Sequence, residues 1–224
     1  MATRRLAILA SGRGSNLQAL LDAIAAGTLD AEIVGVFSDK LDAPALQRVD
    51  APLRWSRDAK AYAQRRDFDD ELADAVAATS PDWVVCAGYL RLLDARFVAR
   101  FQGRLLNIHP SLLPAYRGLK THARAIADGA AEHGASVHFV SPELDAGAVI
   151  AQATVPVLPG DTPDALAARV LAVEHPLLLA VVALATAGRI AECDGKVLFD
   201  GHPMLLPLRV ESAASSALPG PTPP

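Results

Sequence analysis

Short apolar runs alternate along the chain with longer segments whose apolar residues recur at helical spacing. Residues 6–10, Leu-Ala-Ile-Leu-Ala, read as a buried strand, and a polar glycine turn follows at Ser11-Gly12-Arg13-Gly14-Ser15. Leu17, Leu20, Leu21 and Ile24 then stand at i, i+3, i+4 and i+7, one face of a helix, which Gly27 is placed to end. Residues 33–37 form a second apolar run and residues 53–56 a short third. The stretch 58–79 predicts one charged amphipathic helix with Phe68, Leu72, Ala75 and Val76 as its apolar face, broken at Ser80-Pro81-Asp82. Strands are expected at 83–87, 105–108, 137–140 and 149–157, the last two paired across a loop holding Asp145-Ala146-Gly147. A long helix, 162–186, is expected to kink at Pro176.

Strand–helix alternation in the first half implies right-handed βαβ units and an α/β fold built on a mostly parallel, twisted sheet. The two later strands, with no helix between them, imply a mixed sheet at the C-terminal edge. The expectation is one domain over residues 1–211, followed by a low-complexity tail, 212–224, expected to be disordered. A chain of 224 residues is long enough for one sizeable core.

A net charge of −4 argues against a general nucleic-acid or membrane-surface binder, which needs a broad basic field. The apolar run at 6–10 is too short for a signal peptide. The run at 177–185 is about half the roughly 20 residues a membrane span needs. Cys86 and Cys193 show neither metal nor redox spacing, so a reduced, cytoplasmic setting is expected. Oligomeric state is open between monomer and homodimer.

Ser11-Gly12-Arg13-Gly14-Ser15-Asn16 sits between a strand and a helix. Free N–H groups at a helix start, together with the helix dipole, attract anions, and glycine lets a phosphate approach closely. A tight turn with an ordinary helix cap reads the same residues more plainly. A dinucleotide fingerprint is a third reading: Gly12-x-Gly14 fits its first half and Asp39 stands where a ribose ligand would, but Leu17 occupies the third glycine position.

Asn107 and His109 share one face at the carboxyl end of a strand, just before Pro110. Open α/β sheets build their sites at that end. An amide beside an imidazole can stabilise an oxyanion and deliver a proton. Asp145, should it face His109, would favour the imidazolium; its plainer reading is a turn aspartate close before a glycine. His122, His133 and His138 lack the spacing and companions of a metal set, and no metal is expected. His175, before Pro176, reads as structural.

Several spaced motifs, in one order between about Arg5 and Gly201, resemble the folate-dependent formyltransferases that act on glycinamide ribonucleotide. They are the run from Ser11 to Leu20, Ala87-Gly88-Tyr89-Leu90-Arg91-Leu92-Leu93, the run from Gly103 to Pro114, the run from Glu132 to Val140, and Glu143-Leu144-Asp145-Ala146-Gly147. The resemblance implies a Rossmann-like formyltransferase domain with helices on both faces of its sheet. It implies a reaction of de novo purine (IMP) synthesis, moving a formyl group from 10-formyltetrahydrofolate to the amine of 5-phosphoribosylglycinamide. By likeness, Gly14, Ser15 and Asn16 would hold the acceptor's phosphate and Glu174 its ribose. Arg65, Leu90, Arg91, Leu92, Leu93 and Asn107 would meet the folate. Asn107, His109 and Asp145 would form the catalytic trio. Tyr89, Leu90 and Leu92 stand where Phe, Met and Ile are expected, and Pro142 where a polar residue is common.

Related activities share parts of this pattern. A methionyl-tRNA formyltransferase would bring a further C-terminal domain and a basic face for tRNA. A formyltetrahydrofolate hydrolase would bring an N-terminal regulatory domain. A NAD- or nucleotide-binding Rossmann module is the reading from another class.

Overall fold

The computed structural model describes residues 3–210. The tail at 212–224 lies outside the described residues. The described residues gather into two compact units, one comprising residues 3–107 and Val140–Pro142, the other Ile108–Phe139 and residues 143–210.

The first unit is built on parallel strands. Its strands are β1 (Arg4–Leu9), β2 (Ala31–Ser38), β3 (Arg54–Ser56), β4 (Trp83–Cys86) and β5 (Leu105–His109), whose last two residues pass into the second unit. They lie in the order β5-β4-β1-β2-β3, every pair parallel. Apolar runs that alternate with helices are hidden on both faces, and β1 ends in four fully buried residues, Leu6 to Leu9. Helices α1 (Ser15–Ala25), α2 (Arg65–Ala78) and α3 (Ala95–Arg100) accompany the strands. Phe68, Leu72 and Val76 of α2 join Leu9, Phe37, Val84, Phe97 and Phe101 in one core.

The single helix expected over 58–79 begins only at Arg65. Asp58 instead caps a short 3-10 turn, Ala59–Ala61, by accepting from Lys60 N at 3.0 Å, and Tyr62 and Gln64 are extended. An aspartate side chain that satisfies a local N–H competes with continued helix. Helix α3 was not foreseen, and its signal is local: Asp94 accepts from Phe97 N at 2.8 Å as an N-cap.

The second unit holds α4 (Thr121–Ala127), β6 (Glu132–Phe139), β7 (Val149–Pro156) and α5 (Pro163–Thr186), then β8 (Ile190–Cys193), β9 (Lys196–Phe199), β10 (His202–Pro203) and β11 (Leu208–Val210). Strands β6 and β7 are antiparallel as expected, and β11 runs parallel to β7, so this edge is mixed. Strand β6 starts five residues earlier than its apolar run suggests, because Glu132 to Ser136 pair with β7 all the same. Strands β8, β9 and β10 form a separate antiparallel sheet.

Helix α5 is long and apolar enough, by length and composition, to cross a membrane. It packs against β6 and β7, burying Leu166, Val170, Leu177, Leu178, Val181 and Val182, and it carries Arg169 and Glu174. It is the core helix of this unit. Thr162 caps its start, accepting from Ala165 N at 3.2 Å, and it stays one helix through Pro176. The turn after His109 is pinned to β6 by Ser136: its hydroxyl donates to Ser111 O at 2.6 Å and accepts from Leu113 N at 3.0 Å and Gln152 Nε2 at 2.9 Å.

Candidate active site

Three clusters contain most of the residues singled out in the sequence. The first follows β1. Gly14 takes a φ of 72° and precedes α1, which has no side-chain cap. A Cβ on Gly14 would lie 2.8 Å from Ala45, so both the backbone angle and the space demand glycine. The loop is held from below by Ala45 N donating to Gly12 O at 3.0 Å and Arg48 Nε donating to Arg13 O at 2.8 Å. An uncapped helix start on a fixed glycine loop suits an anion. Ser15 is half-buried and Asn16 buried at that start. Asp39 is engaged elsewhere: Ser11 Oγ donates to its Oδ1 at 2.6 Å. Leu17, fully buried, fills the third glycine position, so the dinucleotide fingerprint stays incomplete.

The second cluster follows β4. Leu90 and Leu92 are exposed while Tyr89 and Leu93 are buried. Leu90 N donates to Ser11 Oγ at 3.0 Å, which ties this segment to the glycine loop. Arg65 donates to the carbonyl of Leu92, and the Arg91 guanidinium lies 4.9 Å over the Phe68 ring. Between the two arginines sits Asp69, its side chain fully buried, 3.4 Å from Arg65 Nε and 3.6 Å from Arg91 Nε. Burial pushes the Asp69 carboxyl up, and the two guanidinium charges oppose that push. Sequence reading missed Asp69. Its signal was there: residues 69, 72, 73 and 76 form a helical stripe, apolar at every place but the first.

The third cluster lies in the second unit around His109. Its Nε2 donates to Tyr116 O at 3.1 Å, and its Nδ1 is 3.5 Å from Asp145 Oδ2. The same carboxylate oxygen accepts from Gly118 N at 2.8 Å, and Asp145 Oδ1 is 3.8 Å from His138 Nε2. Asp145 and Tyr116 both have positive φ, 46° and 56°, a conformation uncommon outside glycine and frequent at functional sites. His138 Nδ1 donates to Phe139 O at 2.7 Å. Burial holds His138 below the ordinary histidine range, against the pull of the Phe139 carbonyl and Asp145. His133 Nε2 lies 3.2 Å from His122 Nδ1, and burial, with His122 beside it, takes His133 down to about 4. Neither histidine stands alone, and among the described residues no group of ligands suits a metal ion.

The remaining residues are on strand and helix. Asn107 is half-buried on β5, in register with Cys86 of β4 and two residues before His109 on the same strand. Glu174 is half-buried on α5. The backbone groups of Tyr116 and Gly118 that meet His109 and Asp145 have no side-chain signature, so residue types could not reveal them.

A glycine-turned α/β fold with an imidazole–carboxylate pair after a parallel strand defines a class, and comparison with known proteins shows which. The formyl transferase family model matches residues 4–182, and the chain belongs to that family. Within it, the chain is similar to phosphoribosylglycinamide formyltransferase of Escherichia coli K12, 43% identical over 199 residues that cover 88% of this chain and 94% of that protein. The solved phosphoribosylglycinamide formyltransferase of Coxiella burnetii superposes with a TM-score of 0.83 at 41% identity, covering 90% of this chain and 95% of the other. The trifunctional purine biosynthetic protein adenosine-3 of Drosophila melanogaster is 43% identical over 191 residues, 82% of this chain and 14% of that longer protein.

Proposed function

We propose that the protein moves the formyl group of 10-formyltetrahydrofolate onto the amine of 5-phosphoribosylglycinamide, a step of de novo purine (IMP) synthesis. The observation that carries the chemistry is His109, whose two ring nitrogens face a carbonyl oxygen and a carboxylate oxygen. As imidazolium it donates on both sides. The acceptor amine attacks the formyl carbon and the carbonyl oxygen becomes an oxyanion. In the reaction Nε2 gives its hydrogen bond to that oxyanion in place of the Tyr116 carbonyl, and Asn107 adds an amide donor from the same strand. Collapse breaks the bond from carbon to the folate nitrogen, which takes a proton from His109, and the proton lost by the acceptor amine restores the imidazolium. Asp145, fixed by Gly118 N, holds the ring in orientation. The steps as written require no metal.

Gly14, Ser15 and Asn16 bind the acceptor's phosphate, a reading supported by the uncapped start of α1. Glu174 binds the ribose diol, which a carboxylate can accept from. Leu90 and Leu92 offer apolar surface to the folate ring system, Leu93 backs them, and Arg65 and Arg91 stand beside them with the charge to meet its carboxylates. The protein works on small molecules, as monomer or homodimer, without nucleic-acid or membrane partners. The free thiols of Cys86 and Cys193 support a reducing, cytoplasmic setting.

The test follows tetrahydrofolate release from 10-formyltetrahydrofolate with and without 5-phosphoribosylglycinamide. Release that requires the acceptor, and that falls by about 10²–10⁴ in Asp145→Asn, supports the reading. Release without acceptor points to hydrolysis, and no release at all rejects formyl transfer.

A further inference from the structure

We propose that Asp69 is a positioning residue for the folate carrier, one that aims Arg65 and Arg91 at the carrier's carboxylate end. This rests on the formyl-transfer reading above and adds a residue to it.

Position 69 belongs to the buried stripe of α2, where Leu72, Ala73 and Val76 follow on the same face. An apolar side chain there would pack without cost, whereas a carboxylate stripped of water is expensive. The Asp69 side chain is fully buried, and its contacts are loose for a stabilising pair, 3.4 and 3.6 Å. Its Oδ1 makes no hydrogen bond among the described residues. A carboxylate so placed is a poor device for stability, and its use lies in the groups it holds.

Those groups share an orientation. Both arginines approach Asp69 through Nε. Arg65 is further fixed by its bond to the Leu92 carbonyl, and Arg91 by its seat on the Phe68 ring. Arg91 Nε is buried and makes no hydrogen bond among the described residues, while the side chain as a whole is 23% exposed. Neighbouring charges are spent: Arg66 pairs with Asp67 at 3.7 Å, and Asp94 pairs with Arg96 at 3.7 Å while capping α3. Two guanidiniums around one carboxylate leave one positive charge beside exposed Leu90 and Leu92. An apolar ledge that ends in a fixed cationic fork suits an amphipathic anion, an aromatic body ending in carboxylates, which is the chemistry of a folate's benzoylglutamate. Without Asp69 the two side chains would have to be ordered when the carrier binds, at the expense of affinity.

The experiment compares two carriers, 10-formyltetrahydrofolate and 10-formyltetrahydropteroate, which lacks the glutamate, in wild type and Asp69→Asn. In wild type, loss of the glutamate should lower kcat/KM by about 10–100-fold, the range of a charge-assisted contact. In Asp69→Asn that penalty should shrink to about threefold or less, with KM for the full carrier raised about tenfold and kcat nearly kept. An unchanged penalty in a folded Asp69→Asn, or a loss confined to kcat, overturns the proposal. Where that variant does not fold, Arg65→Gln and Arg91→Gln, altered at more exposed side chains, should each lose part of the same penalty, and a full penalty in both overturns it. A wild type that turns over neither carrier rejects formyl transfer itself, and a wild type that turns over both with an unaltered penalty in the variant rejects only the role of Asp69.

Discussion

Asp69 and Asp145 are both carboxylates withdrawn from water, and they are held in opposite ways. Asp69 lies on a helix between two guanidiniums that stay charged at any ordinary pH. Asp145 lies in a turn with positive φ, fixed by a backbone N–H and facing two histidines. A carboxylate among permanent cations can only orient them. A carboxylate among imidazoles orients groups that can carry a proton to and from a substrate. On the proposed reading the partners divide the work: Asp69 positions the arginines that meet the carrier, and Asp145 orients the imidazole that moves the proton.

The largest effect should come from the imidazole itself. Replacing His109 by Asn should lower kcat by about 10³–10⁴ with the acceptor's KM little changed, measured by initial rates at saturating carrier. Asp145→Asn should lie just below it, mostly in kcat, which sets it against the KM effect of Asp69→Asn. Equal splits between kcat and KM at the two aspartates would break the comparison.

Stability separates the two further. Asp69→Leu fills the stripe of α2 and should leave Tm unchanged or raise it, since Arg65 and Arg91 can both reach water. Gly14→Ala, by contrast, forces a side chain into a left-handed turn against Ala45 and should cost about 1–3 kcal/mol in chemical denaturation. The smallest effect is a pH dependence. His133 is depressed from 6.5 to about 4, so the folded state keeps it neutral while the unfolded chain protonates it. Its contribution is complete above pH 6.5 and declines as pH falls from there towards about 4. His133→Gln should flatten that part of the stability profile.

Much of the first unit was legible because its strands are hidden on both faces, which leaves continuous apolar runs such as Leu6 to Ala10. The β6–β7 pairing was legible from two apolar runs with no helix between them. The start of α2 was not, because a local Asp58 turn interrupts a pattern whose apolar spacing looks continuous. The small sheet of β8, β9 and β10 escaped because its strands are only two to four residues long, too short to establish a period.

At the site, the residues carrying nameable side-chain chemistry, Asn107, His109 and Asp145, stood out by type and position. So did the glycine turn, since few residues but glycine accept the φ that Gly14 adopts. What the sequence determined by itself is the α/β alternation, the family and the candidate reactive groups, because these depend on local periodicity and residue type. What the tertiary structure decided is which groups meet: the carboxylate of Asp145 at His109, the carbonyl of Tyr116 and N–H of Gly118 beside them, and Asp69 between its two arginines. Those contacts join residues up to 36 positions apart through backbone atoms and buried faces, and such groups have no pattern along the chain until folding brings them together.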